Sequence, residues 1–440
     1  MRKQMKFVAA LSAAALLTFG AAMTSMAATG WSQEDGTWVY YDSEGYRVTD
    51  TWKKSGNYWY YLDSDGYMAT DQKLDEYYVN EDGVMIVNSW VEISNDSDWD
   101  SPEAPESYWY YFDKDGKMIS DKWKEINDRW YHFDEEGKMS TGKQSIGDAT
   151  YYLGDDNDGA MKTGWIQLDD EDSDGPEDSN SWYYFENSGK MIEEHVDKKI
   201  NGKYYTFKEG KMQHGWVDVN AANDGTVIGN YKYYGTENDG ARADGWRKIE
   251  GVDGVSEEGK EFWFYFKNGK AHHATSGIQT LNVNGKKYAF NTNGEMQHGL
   301  QMIDLATDSQ AQYYFGKADD GAMKTGKQSI YDEDLDETQV WFFYTDGTRK
   351  GQGFNGIRDN NIYFDGLRQD ADSDVRYAPV TFEDNRYLVN TAGAIQKAGN
   401  SSKSSQNPEL GSGHKDFKDN NGDIWTVNTK GIIQSTTAEK

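Results

Sequence analysis

Hydrophobic positions in this chain come in short aromatic runs, each closed by an acidic turn, a glycine and, two residues later, a methionine. Trp59-Tyr60-Tyr61-Leu62-Asp63 is followed by Gly66 and Met68, and Trp109-Tyr110-Tyr111-Phe112-Asp113 by Gly116 and Met118. The arrangement returns at Trp130 with Gly137 and Met139, and at Trp182 with Gly189 and Met191. Looser copies continue at Tyr151-Tyr152, Tyr204-Tyr205, Tyr233-Tyr234, Trp263-Phe264-Tyr265-Phe266, Tyr313-Tyr314-Phe315 and Trp341-Phe342-Phe343-Tyr344. Aromatic residues favour strands, and a turn such as Asp-Ser-Asp-Gly at 63–66 supplies a glycine free to take positive φ. Each copy therefore predicts a β-hairpin, with Trp59 and Tyr61 on one face and Tyr60 and Leu62 on the other. A lone hairpin is marginal in water, so the units must stack and bury aromatic faces against their neighbours, giving an all-β, quasi-one-dimensional array.

The grammar is strict. Of the ten methionines after residue 27, all but Met302 lie two residues beyond a glycine, and Trp38, Trp59, Trp109, Trp130 and Trp182 each precede a glycine by seven residues. Asp-Gly-Ala recurs at 158–160, 239–241 and 320–322, a spacing of 81 both times, which points to duplication of larger blocks. The expected organisation is a signal peptide over 1–27, about fifteen repeats over 28–398, a flexible Ser/Gly/Asn linker over 399–413 and a degenerate terminal repeat over 414–440. Acidic inserts at 95–107, 169–181 and 331–339 read as solvated loops that break the period without ending it.

Composition changes the picture in three ways. The 440 residues would permit roughly three ordinary domains, but hydrophobic types reach only 36% while aromatics alone make 15%. Aromatic rings must carry the burial that aliphatic residues usually carry, and that same richness argues against disorder. There is no cysteine, so neither disulfides nor thiolate metal sites staple the units. Arg2, Lys3 and Lys6 ahead of the apolar run Phe7 to Phe19, with Ser25 and Ala27 placed for cleavage, read as a secretory signal. Its removal takes the net charge from −30 to −33, because those three cations leave with it. The apolar run is short for a membrane span and no second one follows, so no membrane span is expected. A chain this acidic is a poor partner for nucleic acid.

The pattern from Trp123 to Gly142 resembles the cell-wall-binding repeats of Gram-positive surface proteins, a family that includes choline-binding modules and is related to glucan-binding and clostridial toxin repeats. The resemblance covers nearly all of the chain after residue 27. It implies a β-solenoid of stacked hairpins with ligand sites between consecutive repeats, which in choline-binding members are aromatic cages for the trimethylammonium group of teichoic acid choline. A quaternary ammonium donates no hydrogen bond, so its recognition rests on aromatic faces, each worth about 0.5 to 2 kcal/mol, helped by a polarisable Met.

The expected ligand-binding residues follow the strand-to-next-Trp junctions. Trp38 is expected to pair with Trp52, with Trp59, Tyr61 and Met68 nearby. Trp109, Tyr111 and Met118 are expected to meet Trp123 and Trp130, with Met139 beyond them. Trp90, Trp165 and Trp182 complete the N-terminal half, and Trp216 with Trp246 and Trp263 form a less complete set. Some units depart from the pattern: Lys203-Tyr204-Tyr205, Thr150-Tyr151-Tyr152 and Lys287-Tyr288-Ala289 lack the strand Trp, and Leu300 or Lys143 replaces the opening one. Any one of these Trp or Met residues could equally be packing alone.

Other chemistry is poorly represented. Asp155 to Gly159 and Asp419 to Asp423 partly mimic calcium loops, but the twelfth positions are Ile166 and Lys430, so solvated turns are expected and no metal. His214 and His298 occupy one repeat slot, His272-His273 lacks a spaced ligand partner, and no repeat-free stretch would house an enzyme. The sequence thus reads as a secreted, wall-associated, non-enzymatic protein without a cofactor. It would be retained through choline of wall teichoic or lipoteichoic acid, since no C-terminal sorting signal is visible. Wall glycan or α-glucan stacked on Trp and Tyr remains an alternative ligand, as does an adhesin or scaffold role toward a host or bacterial surface protein.

Overall fold

The computed structural model describes residues 29–95, 105–169, 180–220, 227–305 and 309–438. The expected signal segment over 1–27 lies outside these residues, as do the middles of the first two acidic inserts. Among the described residues the regular structure is strand, apart from 3-10 turns at Ile228–Asn230 and Pro408–Leu410. The strands form fifteen small antiparallel sheets, most of them a single hairpin. The protein is the all-β array of repeated hairpins that the sequence predicts. It divides into two compact units, one of Met1–His195 with Phe207–Met212 and the other of Val196–Thr206 with Gln213–Lys440.

Each strict repeat builds its turn in the same way. Asp113, at the end of the Ser107–Phe112 strand, accepts the backbone N–H groups of Asp115 and Lys117 on one carboxylate oxygen at 2.9 and 3.0 Å. Asp63 and Asp134 do the same for Asp65 and Tyr67 and for Glu136 and Lys138. The acidic residue that closes each aromatic run is therefore a local turn-former. Asp155 and Asp419, weighed above as calcium-loop openers, are used likewise, accepting the N–H of Asn157 and those of Asn421 and Asp423.

Consecutive hairpins are joined through the methionine. Its N–H donates to the carbonyl of the strand Trp of the preceding hairpin: Met68 to Trp38, Met85 to Trp59, Met139 to Trp109 and Met161 to Trp130, at 2.7 to 2.9 Å. Its side chain reaches the other way, onto the turn glycine of the following hairpin. A Cβ on Gly137 would lie 2.7 Å from the Met118 sulfur, and one on Gly116 2.8 Å from the Met85 methyl. Both glycines also hold φ near +80°. The glycine seven residues after the Trp is thus required twice, for the turn and for the neighbour's Met. Alternate strand positions form the core: Tyr110 and Phe112, Tyr131 and Phe133, and Tyr183 and Phe185 are buried in the first unit, as are Phe264 and Phe266 in the second.

The inserts fall at hairpin tips. Residues 95–107 separate Ser89–Ser94 from Ser107–Phe112, yet Trp90 still pairs with Tyr111 in register. The third insert, 331–339, is less of a loop than expected, because it lengthens the hairpin of Gly326–Asp332 and Glu337–Phe343. That hairpin joins Leu367–Arg368, Asn361–Phe364 and Gly356–Arg358 in one five-stranded sheet, so the simple hairpin period is lost there.

Residues 399–413, expected as a flexible linker, are tied to the last sheet. Asp416 accepts hydrogen bonds from the Ser404 and Ser405 hydroxyls, from the Ser405 and Gln406 N–H groups and from the Thr426 hydroxyl. Partial burial opposes its charge, but these donors overcome it and hold the carboxyl at about 2. A depressed folded-state value stabilises the segment at pH above the ordinary carboxylate range, and that contribution is lost as pH falls from about 4 to about 2. Protection of the Ser405 and Gln406 amides, referred to the intrinsic exchange rate at each pH, should therefore fall across that window in the wild type and be low throughout in Asp416→Ala.

Candidate functional site

The opening Trp of a hairpin lies opposite the second Tyr of its own Trp-Tyr-Tyr strand: Trp52 pairs with Tyr61, Trp90 with Tyr111 and Trp165 with Tyr184. This register places the opening Trp, the strand Trp and that Tyr on one face. The next hairpin then lays its buried strand aromatic against that face. Trp90 lies 5.2 Å from Tyr111 and 6.5 Å from Trp109 on its own hairpin, and 4.9 Å from Tyr131 and 5.5 Å from Phe133 on the following one. Met139 belongs to the same cluster.

The arrangement recurs with little change. Trp90–Trp109, Trp165–Trp182 and Trp246–Trp263 have ring centroids 6.5, 6.4 and 6.4 Å apart and interplanar angles of 82°, 83° and 81°. Trp165 lies against Tyr184 and Phe207. Trp246 lies 5.1 Å from Tyr265, 4.7 Å from Tyr288 and 5.8 Å from Phe290. At the rim of this last group the Trp263 indole N–H donates to Asp319, which also binds Lys248. These partners, the indole first, hold the Asp319 carboxyl below its usual range.

Two further junctions share the plan with a more open strand Trp. Trp52 meets Tyr61 at 5.2 Å and Tyr77 of the next hairpin at 5.3 Å, with Trp59 40% exposed. Trp123 meets His132 at 5.2 Å and Tyr151 at 4.9 Å, with Trp130 43% exposed. Burial pushes the His132 imidazole below its ordinary value despite Asp121 and Asp134. At neutral pH the ring is therefore an uncharged wall rather than a resident cation.

The expected pairings need correction. Trp38 is grouped with Trp31 and Tyr40 of its own hairpin and with Tyr60 and Met68 of the next, whereas Trp52 opens the group that follows. Trp109 sits with Trp90, Tyr131 and Met139, while Trp123 and Trp130 belong to the next junction and Met118 packs with Tyr78, Tyr110 and Phe112 one junction earlier. Trp216 lies with Tyr233, Phe264 and Phe266, and its indole N–H donates to the Glu250 carbonyl. Trp246 and Trp263 form a separate group. The physical reason is the hairpin register, which returns the chain so that an opening Trp completes its own unit.

Trp31, Tyr60, Tyr77, Tyr131, Tyr151 and Tyr288 were missed as wall residues. A signal for Trp31 was present, since the three units without inserts share one spacing: Trp31, Trp38 and Gly45; Trp52, Trp59 and Gly66; Trp123, Trp130 and Gly137. The Tyr residues carry no such mark, because they face their own core and meet the Trp only through stacking.

Among known families, residues 28–72 and 120–165 match the choline-binding repeat, and residues 107–118 and 177–191 match the putative cell wall binding repeat. No curated protein matches the chain. Among solved structures, the autolysin LytC from Streptococcus pneumoniae, in complex with a synthetic peptidoglycan ligand, is 21% identical with a TM-score of 0.39, covering 61% of this chain and 52% of its own. This chain thus spans about half the length of that relative. The choline-binding domain of CbpL from the same organism is 26% identical over 42% of this chain and 98% of its own, with a TM-score of 0.25. Choline binding protein F, also pneumococcal, is 19% identical over 77% and 98%, with a TM-score of 0.24. The chain carries repeats that match the choline-binding and putative cell wall binding repeats over these four segments.

Proposed function

We propose that this chain is an exported, non-catalytic protein that attaches to the bacterial wall by holding choline of teichoic or lipoteichoic acid at its Trp-lined junctions. The observation that carries this reading is the threefold recurrence of two indoles at right angles, closed by an aromatic ring of the following hairpin. Perpendicular π faces around one corner suit a cation that cannot donate hydrogen bonds. A hydrogen-bonding ligand would call for convergent polar groups, yet each corner is walled by rings, and the Trp90 corner is backed by Met139. The excess of acidic residues favours a cationic ligand further. Several weak sites on one array give avidity without any tight site.

The test is retention on choline-substituted resin. The protein should stay bound through a high-salt wash and leave with free choline. Failure to adhere, or elution by salt alone, overturns the cage, and elution by an oligosaccharide instead of choline would assign the same aromatic walls to a glycan.

A further inference from the structure

Several junctions lack both indoles, and at two of them a lysine ammonium stands in their place. Lys73 pairs in register with Tyr78, as Trp52 does with Tyr61 and Trp90 with Tyr111. It therefore occupies the opening-Trp position of its hairpin. Lys143 pairs with Tyr152 and occupies that position in its own. Their companions are equally altered. Glu76 stands where the strand Trp would be, shown by the Met118 N–H that donates to its carbonyl as Met139 donates to that of Trp109. Thr150 holds the same place for Met191.

In both junctions the lysine Nζ lies 5.1 Å from the ring centroid of the next hairpin's buried Tyr, Lys73 over Tyr110 and Lys143 over Tyr183. These are the positions equivalent to Tyr131, the ring that closes on Trp90. The chain thus delivers a cation of its own to the wall that a ligand cation faces elsewhere. The two contacts fall on equivalent rings of equivalent hairpins.

We propose that Lys73 and Lys143 are tethered occupants that keep their junctions closed to quaternary ammonium ligands, so that these residues set which junctions bind. This inference rests on the cage reading above. An incoming trimethylammonium must displace a like charge from the Tyr ring of the next hairpin and meets no indole of the junction in exchange. The covalent tether makes that displacement harder, because the lysine pays no translational entropy to remain in place.

The test is to rebuild the Lys73 junction in the full-length chain and count radiolabelled choline bound per chain by equilibrium dialysis. Glu76→Trp alone, which restores one indole but leaves the ammonium, should bind the same number as wild type. Lys73→Trp with Glu76→Trp should bind one more. Glu76 is exposed, so the first substitution is tolerable, and far-UV circular dichroism and the unfolding midpoint report whether the double variant is folded. Should the double variant misfold, Lys143→Trp with Thr150→Trp, against Thr150→Trp alone, repeats the comparison at the second junction. A gained site in either single variant, or no gained site in a folded double variant, overturns the inference while leaving the cage reading intact. A wild-type chain that binds no choline overturns both.

Discussion

Trp109→Ala should remove one choline site with little loss of stability, whereas Trp90→Ala should cost the junction itself. The two indoles share a corner but not a role. Trp90 contacts rings on its own hairpin and on the next, so it is the joint between them. Trp90 is half-buried, so truncating it should approach, without reaching, the cost of about 3 to 5 kcal/mol that a fully buried Trp carries. Trp109 is half-buried and makes its ring contact with Trp90 of its own hairpin. Its loss deletes one cage wall, worth about 2 kcal/mol when desolvated, or roughly a thirtyfold weaker site. Dialysis should therefore show one fewer choline in Trp109→Ala near wild-type melting, while Trp90→Ala should show accelerated amide exchange across residues 107–133 before any global transition. Equal destabilisation by both would mean that the Trp109 face is packing surface only.

Gly137→Ala is expected to have the second large effect. The new methyl group would sit at φ +81° and 2.7 Å from the Met118 sulfur. The left-handed backbone alone costs an alanine about 1 kcal/mol, and overpacking adds about 1 to 3 kcal/mol. Met118 would have to shift from its packing against Tyr78, Tyr110 and Phe112 to make room. Met118→Ala in the Gly137→Ala background should recover the overpacking share and leave the backbone share, an interaction that a double-mutant cycle isolates. In a chain of stacked units the loss will be read as local opening around the junction before global unfolding. Strict additivity of the two substitutions would contradict the Met-on-glycine lock.

The hairpins were legible because the Trp-Tyr-Tyr runs, the Asx turns and the glycine spacing are all local, encoded within about twenty residues. The site was legible only by residue type. Which Trp meets which depends on register, and the opening Trp folds back onto its own hairpin, a relation visible as the seven-residue spacing from Trp31 to Trp38. Methionine was ambiguous for a physical reason: its N–H reaches one neighbour and its side chain the other, so Met139 backs a Trp corner while Met118 fills a core. Residues 399–413 have a linker's composition, yet Asp416 accepts hydrogen bonds from Ser404, Ser405 and Gln406, and Asn407 donates to Thr426 and Ser435 of the last sheet. Partners outside the segment decided what composition could not.

The central claim is that the Trp corners hold a quaternary ammonium. Titration of the full chain with choline, followed by intrinsic Trp fluorescence, tests it most directly because the proposed walls are the reporters. The account predicts a saturable change in emission that tetramethylammonium reproduces and that sodium chloride at equal ionic strength does not. An emission spectrum unchanged by choline, or changed equally by salt, would contradict it.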